Sequence, residues 1–272
     1  LPHIRVTSNL IYPNTLRGWP LRGLGVPESI WAGESQMDMI THRLGFDPVE
    51  FRMKNLLENG DIAPTGEALE DVTAKECLRR AVNEIGYDKS KPKKADHGIG
   101  ISMIYKSPTG AGGLSSAVVS INRDGSIQLM VGSSDVGGGM ETALAQIAAE
   151  EFGVELADVS VASGDTSTVP FDHGTYSSRV LVSSGMAVLR AAQDGRSQLL
   201  KLAGEILGED PSSLLLRQKK VYRRTGVEAI SVEAVFHDSR CRQKAIVATA
   251  TMIDDGKKSG WRFGAQAVEV SV

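Results

Sequence analysis

Residues 131–151 read VGSSDVGGGMETALAQIAAEE, an apolar strand-like run that ends in three consecutive glycines and opens directly onto an amphipathic helix. No other stretch restricts the fold as much, because it dictates strand, bare turn and helix within one short segment. Gly137, Gly138 and Gly139 carry no Cβ, so the backbone there can take φ above zero and admit a close neighbour. The helix that follows presents free N–H groups and the positive end of its dipole, which favours an anion such as phosphate. The three glycines are contiguous rather than spaced as GxGxxG, and no GK[ST] follows. A tight turn between strand and helix explains the pattern equally well.

A second segment has the same format. In DTSTVPFDHGTYSSRVLVSSG a strand-like run gives way to small polar residues and then to a long helical pattern. Thr175, Ser177 and Ser178 fit two roles, as caps for that helix or as donors to a bound anion. In a third segment, TLRGWPLRGLGVPES, Arg22 precedes a pair of glycines that expose backbone. An arginine there suits a phosphate or carboxylate, or stands solvated in a loop.

Around these segments the periodicity predicts an α+β chain, with mixed sheets and packed helices in two subdomains. ESIWAGESQMDMITHRLG reads as a helix closed by Gly45. Asp47, Pro48 and Glu50 start a second helix with a capping box, and Thr73 with Glu76 start a third. After the KSKPKK linker the period becomes strand-like, and Asp124–Gly125 marks a hairpin. The pattern gives the helix after Ser178 as one long element or a broken one.

Net charge −3 and a pI near 6.0 offer no electrostatic case for nucleic acid or an anionic membrane. No apolar run is long enough for a membrane-spanning helix. The two cysteines are too few for a disulfide framework or an iron–sulfur cluster. Cys77 reads as core and Cys241, in HDSRCRQK, as surface, which suits a reducing, cytoplasmic setting. Trp19, Trp31 and Trp261 read as packed. The five histidines lack metal-ligand spacing, and only His173 lies in a functional-looking loop. Asp135, Asp165 and Asp172 lie in such loops too, where caps and Asx turns account for them. The chain lacks an initiator Met and both ends read as interrupted strands, so a piece of a longer polypeptide is expected.

Taken in order, three segments resemble one family. LRGLGVPESIWAGESQMDMITHRLGFDPVEFRMKN is similar to the RGFG-x-PQ…LG-DP-E-R-N segment of molybdopterin-binding subunits of the xanthine dehydrogenase and aldehyde oxidase family. SSDVGGGMETALAQIAAEEFGV resembles that family's D-x-G-Q-G loop and helix, and DTSTVPFDHGTYSSRVLVSSGMAV its DT…D-x-G-T-x-S-S-R segment. The GTYSSR wording is similar to that of 4-hydroxybenzoyl-CoA reductase-like and nicotinate dehydrogenase-like members.

The resemblance implies a molybdopterin cofactor, extended as the cytosine dinucleotide in bacterial members. Its metal is held by pterin sulfurs rather than by protein. Residues 1–70 would close a first molybdopterin-binding domain and residues 71–272 open a second. Arg22 would be the catalytic-site arginine; Val136, Gly137, Gly138 and Gly139 would contact the pterin; Thr175, Tyr176, Ser177 and Ser178 would hold its far side and phosphate, with Arg179 in support. The implied reaction is hydroxylation of an aldehyde, N-heterocycle or aromatic substrate, with electrons leaving through iron–sulfur and FAD partners. The family's glutamate base lies in a GxGE segment that this chain does not contain, so the chain alone is expected to be inactive. Three positions depart from the pattern: Gly138 stands where Gln is usual, Leu24 where Phe is, and Glu28 where Gln is. A degenerate scaffold without cofactor and an unrelated phosphate-binding module are the alternative readings.

Overall fold

The computed structural model describes residues 5–16, 18, 23–64, 66–89, 96–106, 113–254 and 261–272. Two compact units emerge, Leu1–Pro108 with Ser259–Val272, and Thr109–Lys258. Helices and mixed sheets make it α+β, as the periodicity suggests.

In the first unit, α1 (Val26–Leu44) ends on Gly45 at φ 70°, a left-handed cap that glycine adopts without strain. α2 (Pro48–Asn55) is capped by Asp47, whose carboxylate accepts from the N–H groups of Val49 and Glu50 at 2.9 Å each. Glu50 pairs with Lys89, so Asp47 caps this helix from its own side only. In α3 (Ala74–Glu84), Thr73 makes no side-chain cap bond and Glu76 is held by Arg79 and Arg80. The capping box expected there is not formed, because two arginines on the next turn compete for the same carboxylate.

β1 (His97–Lys106) pairs antiparallel with β9 (Arg262–Ser271), from His97 opposite Ser271 to Lys106 opposite Arg262. Leu78 and Val82 of α3 pack with Ile101 and Met103. The buried Arg52 reaches Glu34 and Asp38 at 2.8 Å each, and Glu34 also accepts from the Met103 N–H, which ties α1 to α2 and β1. Trp31 is 77% exposed and corrects the expectation that the tryptophans pack. Trp261 donates to Glu67 at 3.0 Å. Trp19 and all of the basic linker except Lys89 lie outside the described residues.

The second unit is built on a sheet in the order β4-β3-β2-β8. β2 (Gly113–Ile121) pairs antiparallel with β3 (Ile127–Val131) through the expected hairpin, where Gly125 takes φ 82°. β4 (Val159–Ser163) lies parallel to β3, and α4 (Met140–Phe152) makes the crossover. α5 (Val180–Leu207) is one unbroken helix. Both helices cover one face of the sheet. Leu144, Ala148 and Phe152 of α4 and Ala187, Val188 and Ala191 of α5 pack on Val119, Leu129 and Ile246. Small residues let α5 lie close: a Cβ on Gly195 would sit 3.3 Å from Phe152 and 3.5 Å from Ala248.

β8 (Ile246–Asp254) forms the far edge of this sheet. β5 (Leu214–Arg217), β6 (Lys220–Arg223) and β7 (Glu228–Ser231) form a separate antiparallel sheet followed by α6 (Val232–His237). Cys241 is fully buried against the main core, which corrects its assignment to the surface. The charged residues around it point outward and leave the thiol as the inward member of its turn.

Candidate functional site

The glycine turn and the serine-rich loop lie beside each other, at the carboxyl ends of the two parallel strands. There the chain leaves β3 for α4, and β4 for α5, so both helices begin at one edge of the sheet. Carboxyl ends of parallel strands are where open α/β sheets take their ligands.

Gly132, one residue past β3, lets the two loops touch. A Cβ there would lie 2.2 Å from the Pro170 carbonyl oxygen and 2.8 Å from the Asp172 Cβ. As β3 turns away, the Pro170–Gly174 stretch takes its place beside β2, with Ser115 bridging to Asp172. The Thr175 hydroxyl then donates to the Ser134 carbonyl at 2.6 Å.

A buried polar cluster lies beneath the contact. Arg179 donates to Asp172 at 2.9 Å, to the Gly174 carbonyl at 3.1 Å and to the Ser115 hydroxyl at 3.0 Å. The hydroxyls of Ser133 and Ser184 reach the other Asp172 oxygen at 3.2 and 3.1 Å. Burial pushes the Asp172 carboxyl up, but the hydroxyls, the Gly174 N–H and the arginine outweigh it and hold the group below the usual carboxylate range. This cluster was missed in the sequence, where Asp172 looked like one more Asx turn. Its partners come from β2, from both loops and from α5.

At the glycine turn, φ is 91° at Gly137 and 72° at Gly139, so both positions need glycine for their backbone. Gly138 has no such requirement. None of the three has an atom within 4 Å of where a Cβ would stand, so the face of the turn is open. The N–H groups are engaged: Asp135 Oδ1 accepts from Gly137, Gly138 and Gly139 at 2.7, 2.9 and 3.3 Å. These bonds, led by that from Gly137, lower the Asp135 carboxyl. The chain's own carboxylate takes the place where an external anion was expected. What remains open to a ligand is the bare Cα surface beside Val136, which is exposed.

In the serine loop, Ser177 and Ser178 both take positive φ, 54° and 58°. Such left-handed residues cost about 1–2 kcal/mol each and persist where the surroundings enforce them, often at ligand sites. The α5 N-cap is Arg179, whose side chain makes no cap bond. Tyr176 is exposed, with the Arg179 guanidinium 5.8 Å from its ring centre. His173 closes the start of β2. Its N–H donates to the Leu114 carbonyl at 3.1 Å and its Nδ1 accepts from the Leu114 N–H at 2.9 Å. That acceptor role leaves the proton on Nε2 in the neutral ring. Asp165 accepts from Ser167 within its own turn, as expected. Arg22 lies outside the described residues.

Within residues 132–139 and 170–179 the basic side chains are Arg179, already paired, and His173. An anionic group would therefore be held by hydroxyls and backbone. A flat ring system carrying a phosphate would meet open glycine backbone in one loop and the positive-φ serines in the other.

Two family models, each described as a molybdopterin cofactor-binding domain, match residues 1–56 and 74–272. The putative xanthine dehydrogenase molybdenum-binding subunit XdhA of Escherichia coli is 30% identical over 98% of this chain and 38% of its own length. The aldehyde oxidoreductase of Megalodesulfovibrio gigas is 30% identical over 71% of this chain and 22% of its own. The reconstituted CO dehydrogenase of Oligotropha carboxidovorans shares the fold, with a TM-score of 0.73 and 24% identity over 90% of this chain and 34% of that one. The chain thus spans well under half the length of the relatives it matches. By these matches it belongs to the molybdopterin cofactor-binding domains of the xanthine dehydrogenase and aldehyde oxidase family.

Proposed function

We propose that the paired loops grip the molybdopterin cofactor within a larger oxidoreductase subunit that hydroxylates an aldehyde, an N-heterocycle or an aromatic carbon. One observation carries the reading: two helix-opening loops are locked side by side at the carboxyl ends of parallel strands, through the Gly132 contact and the Thr175–Ser134 bond. In this assignment the cofactor takes the cytosine dinucleotide form. Val136, Gly137, Gly138 and Gly139 lie along its pterin, and Thr175, Tyr176, Ser177 and Ser178 hold its far side and phosphate. Arg22 serves the reacting end. Residues 1–70 close one cofactor-binding domain and residues 71–272 open the next.

The bound cofactor supplies the metal and the two-electron chemistry. The chain's own residues orient it: Asp172 and Arg179 fix the serine loop, and Asp135 fixes the glycine turn. Electrons leave through iron–sulfur and FAD partners, in a soluble cytoplasmic complex; no described helix is long and apolar enough to cross a membrane.

A scaffold without cofactor is the second reading. Asp135 on the three glycine N–H groups favours it, together with Gly138 in place of the family's glutamine. Molybdenum and pterin measured on the natively matured longer protein separate the two. Near-equimolar cofactor is expected, and consistently empty protein would establish the scaffold.

A further inference from the structure

A closed ring of hydrogen bonds joins the two loops of the candidate site below the surface. Ser133, at the start of the glycine loop, meets Ser184 of α5 at 2.7 Å between hydroxyl oxygens. Ser184 reaches Ser115 of β2 at 3.2 Å, and Ser115 accepts from the Arg179 guanidinium at 3.0 Å. Arg179 pairs with Asp172 at 2.9 Å, and the other Asp172 oxygen closes the ring on Ser133 at 3.2 Å. All five side chains are buried and belong to one compact unit, so the ring is complete without any further chain or solvent.

Ser133 links the glycine loop directly to α5. Each serine carries a single hydroxyl proton. The Ser133–Ser184 contact, the shortest in the ring, takes one of their two protons, and the other is left for Asp172, which both hydroxyls reach. Ser133→Ala removes the link but leaves Asp172 with Ser115, Ser184, the Gly174 N–H and Arg179. No charge is stranded, so the variant should fold. The adjacent Ser183 offers a contrast, because it is equally buried and its hydroxyl has no partner.

The ring brackets the serine loop, with Asp172 before Thr175 and Arg179 directly after Ser178. It enters the glycine loop at Ser133, just ahead of Val136. We infer that Ser133 is a positioning residue for the cofactor: its bond to Ser184 sets the spacing between the pterin-side glycines and the phosphate-side serines. The inference rests on the cofactor reading above. A rigid group spanning both loops is gripped only when the two are in register, so a loosened link shortens its stay more than it weakens the fold.

Pterin release from the natively matured longer protein tests this by fluorescence, alongside the urea midpoint of each variant made without cofactor. Ser133→Ala and Ser184→Ala should each release pterin about fivefold faster or more, the scale of one lost hydrogen bond. The double variant should release no faster than the faster single, because both changes remove the same link. Ser133→Thr keeps the hydroxyl and should match wild type, as should Ser183→Ala. Leu216→Ala, in a strand lying against Gly153 at the far end of α4, should lower the urea midpoint at least as much and leave release unchanged. Release from Ser133→Ala no faster than from Ser183→Ala, fast release from Ser133→Thr, or release that follows the urea midpoint across all variants would overturn the inference while leaving a loaded wild type. A wild type without cofactor would overturn the cofactor reading itself, and the inference with it.

Discussion

Asp172 and Arg179 meet at 2.9 Å with both side chains fully excluded from water, directly beneath the place where the two loops join. A buried pair of this kind is costly to break, because the remaining partner stays charged and unsolvated. Asp172→Ala is expected to lower unfolding free energy by about 3–5 kcal/mol. Replacing Asp172 and Arg179 together with apolar residues should cost clearly less than the sum of the single changes. Urea unfolding of the four-member cycle measures this, and simple additivity would mean the two groups do not act as a unit.

Gly132 and Gly138 should respond in opposite ways. Gly132→Ala drives a Cβ into the backbone of the neighbouring loop, and a loss of about 1–3 kcal/mol or more is expected. Gly138→Gln meets open space at a backbone angle any residue accepts, so stability should not change. The same substitution supplies the glutamine that the resemblance leads one to expect there, and cofactor retention in the matured longer protein should rise. Thermal unfolding of the two variants, with pterin content for the second, checks both halves.

Asp135 supplies a pH-dependent element. Its carboxyl is lowered on folding from the ordinary 3.8, so its contribution is full above that value and is lost as pH falls through the folded one. Asp135→Asn should be less stable than wild type at neutral pH, with the gap closing below about pH 4. Amide exchange at Gly137 and Gly138 should quicken in the variant at neutral pH. Unchanged exchange would mean the carboxylate does not hold the turn.

The turn between β5 and β6 puts Gln218 and Lys219 at φ 48° and 58°, a two-residue hairpin geometry that favours asparagine and glycine. Gln218→Asn should therefore stabilise the chain by about 0.5–1 kcal/mol. A urea midpoint that stays put or falls would show that Gln218 makes a compensating contact.

The parts of this fold that were legible are those where sequence neighbours decide the structure. The hairpin at Gly125, the helix from Met140 to Phe152 and the cap at Gly45 all follow from local period and turn chemistry. The format shared by the two loops was visible for the same reason. That they meet was not, because Ser133 lies 39 residues from Asp172 and Ser115 lies 69 from Ser184, separations that no periodicity records. Gly132 stood inside the quoted motif, overshadowed by the triple glycine, although its neighbours impose the tighter demand. The triple glycine in turn invited an external anion, whereas Asp135, two residues upstream, folds back onto its N–H groups. Cys241 misled because its charged surroundings describe the turn's outer side rather than the thiol's.

Ser178→Asp, made in the natively matured longer protein, tests the shared grip most directly. Aspartate tolerates the left-handed backbone at φ 58°, so the fold should hold, while its charge stands where we propose the cofactor's phosphate binds. Molybdenum and pterin per chain should fall by about tenfold or more, in protein that stays folded by circular dichroism. Full cofactor content in a folded Ser178→Asp protein would contradict the account.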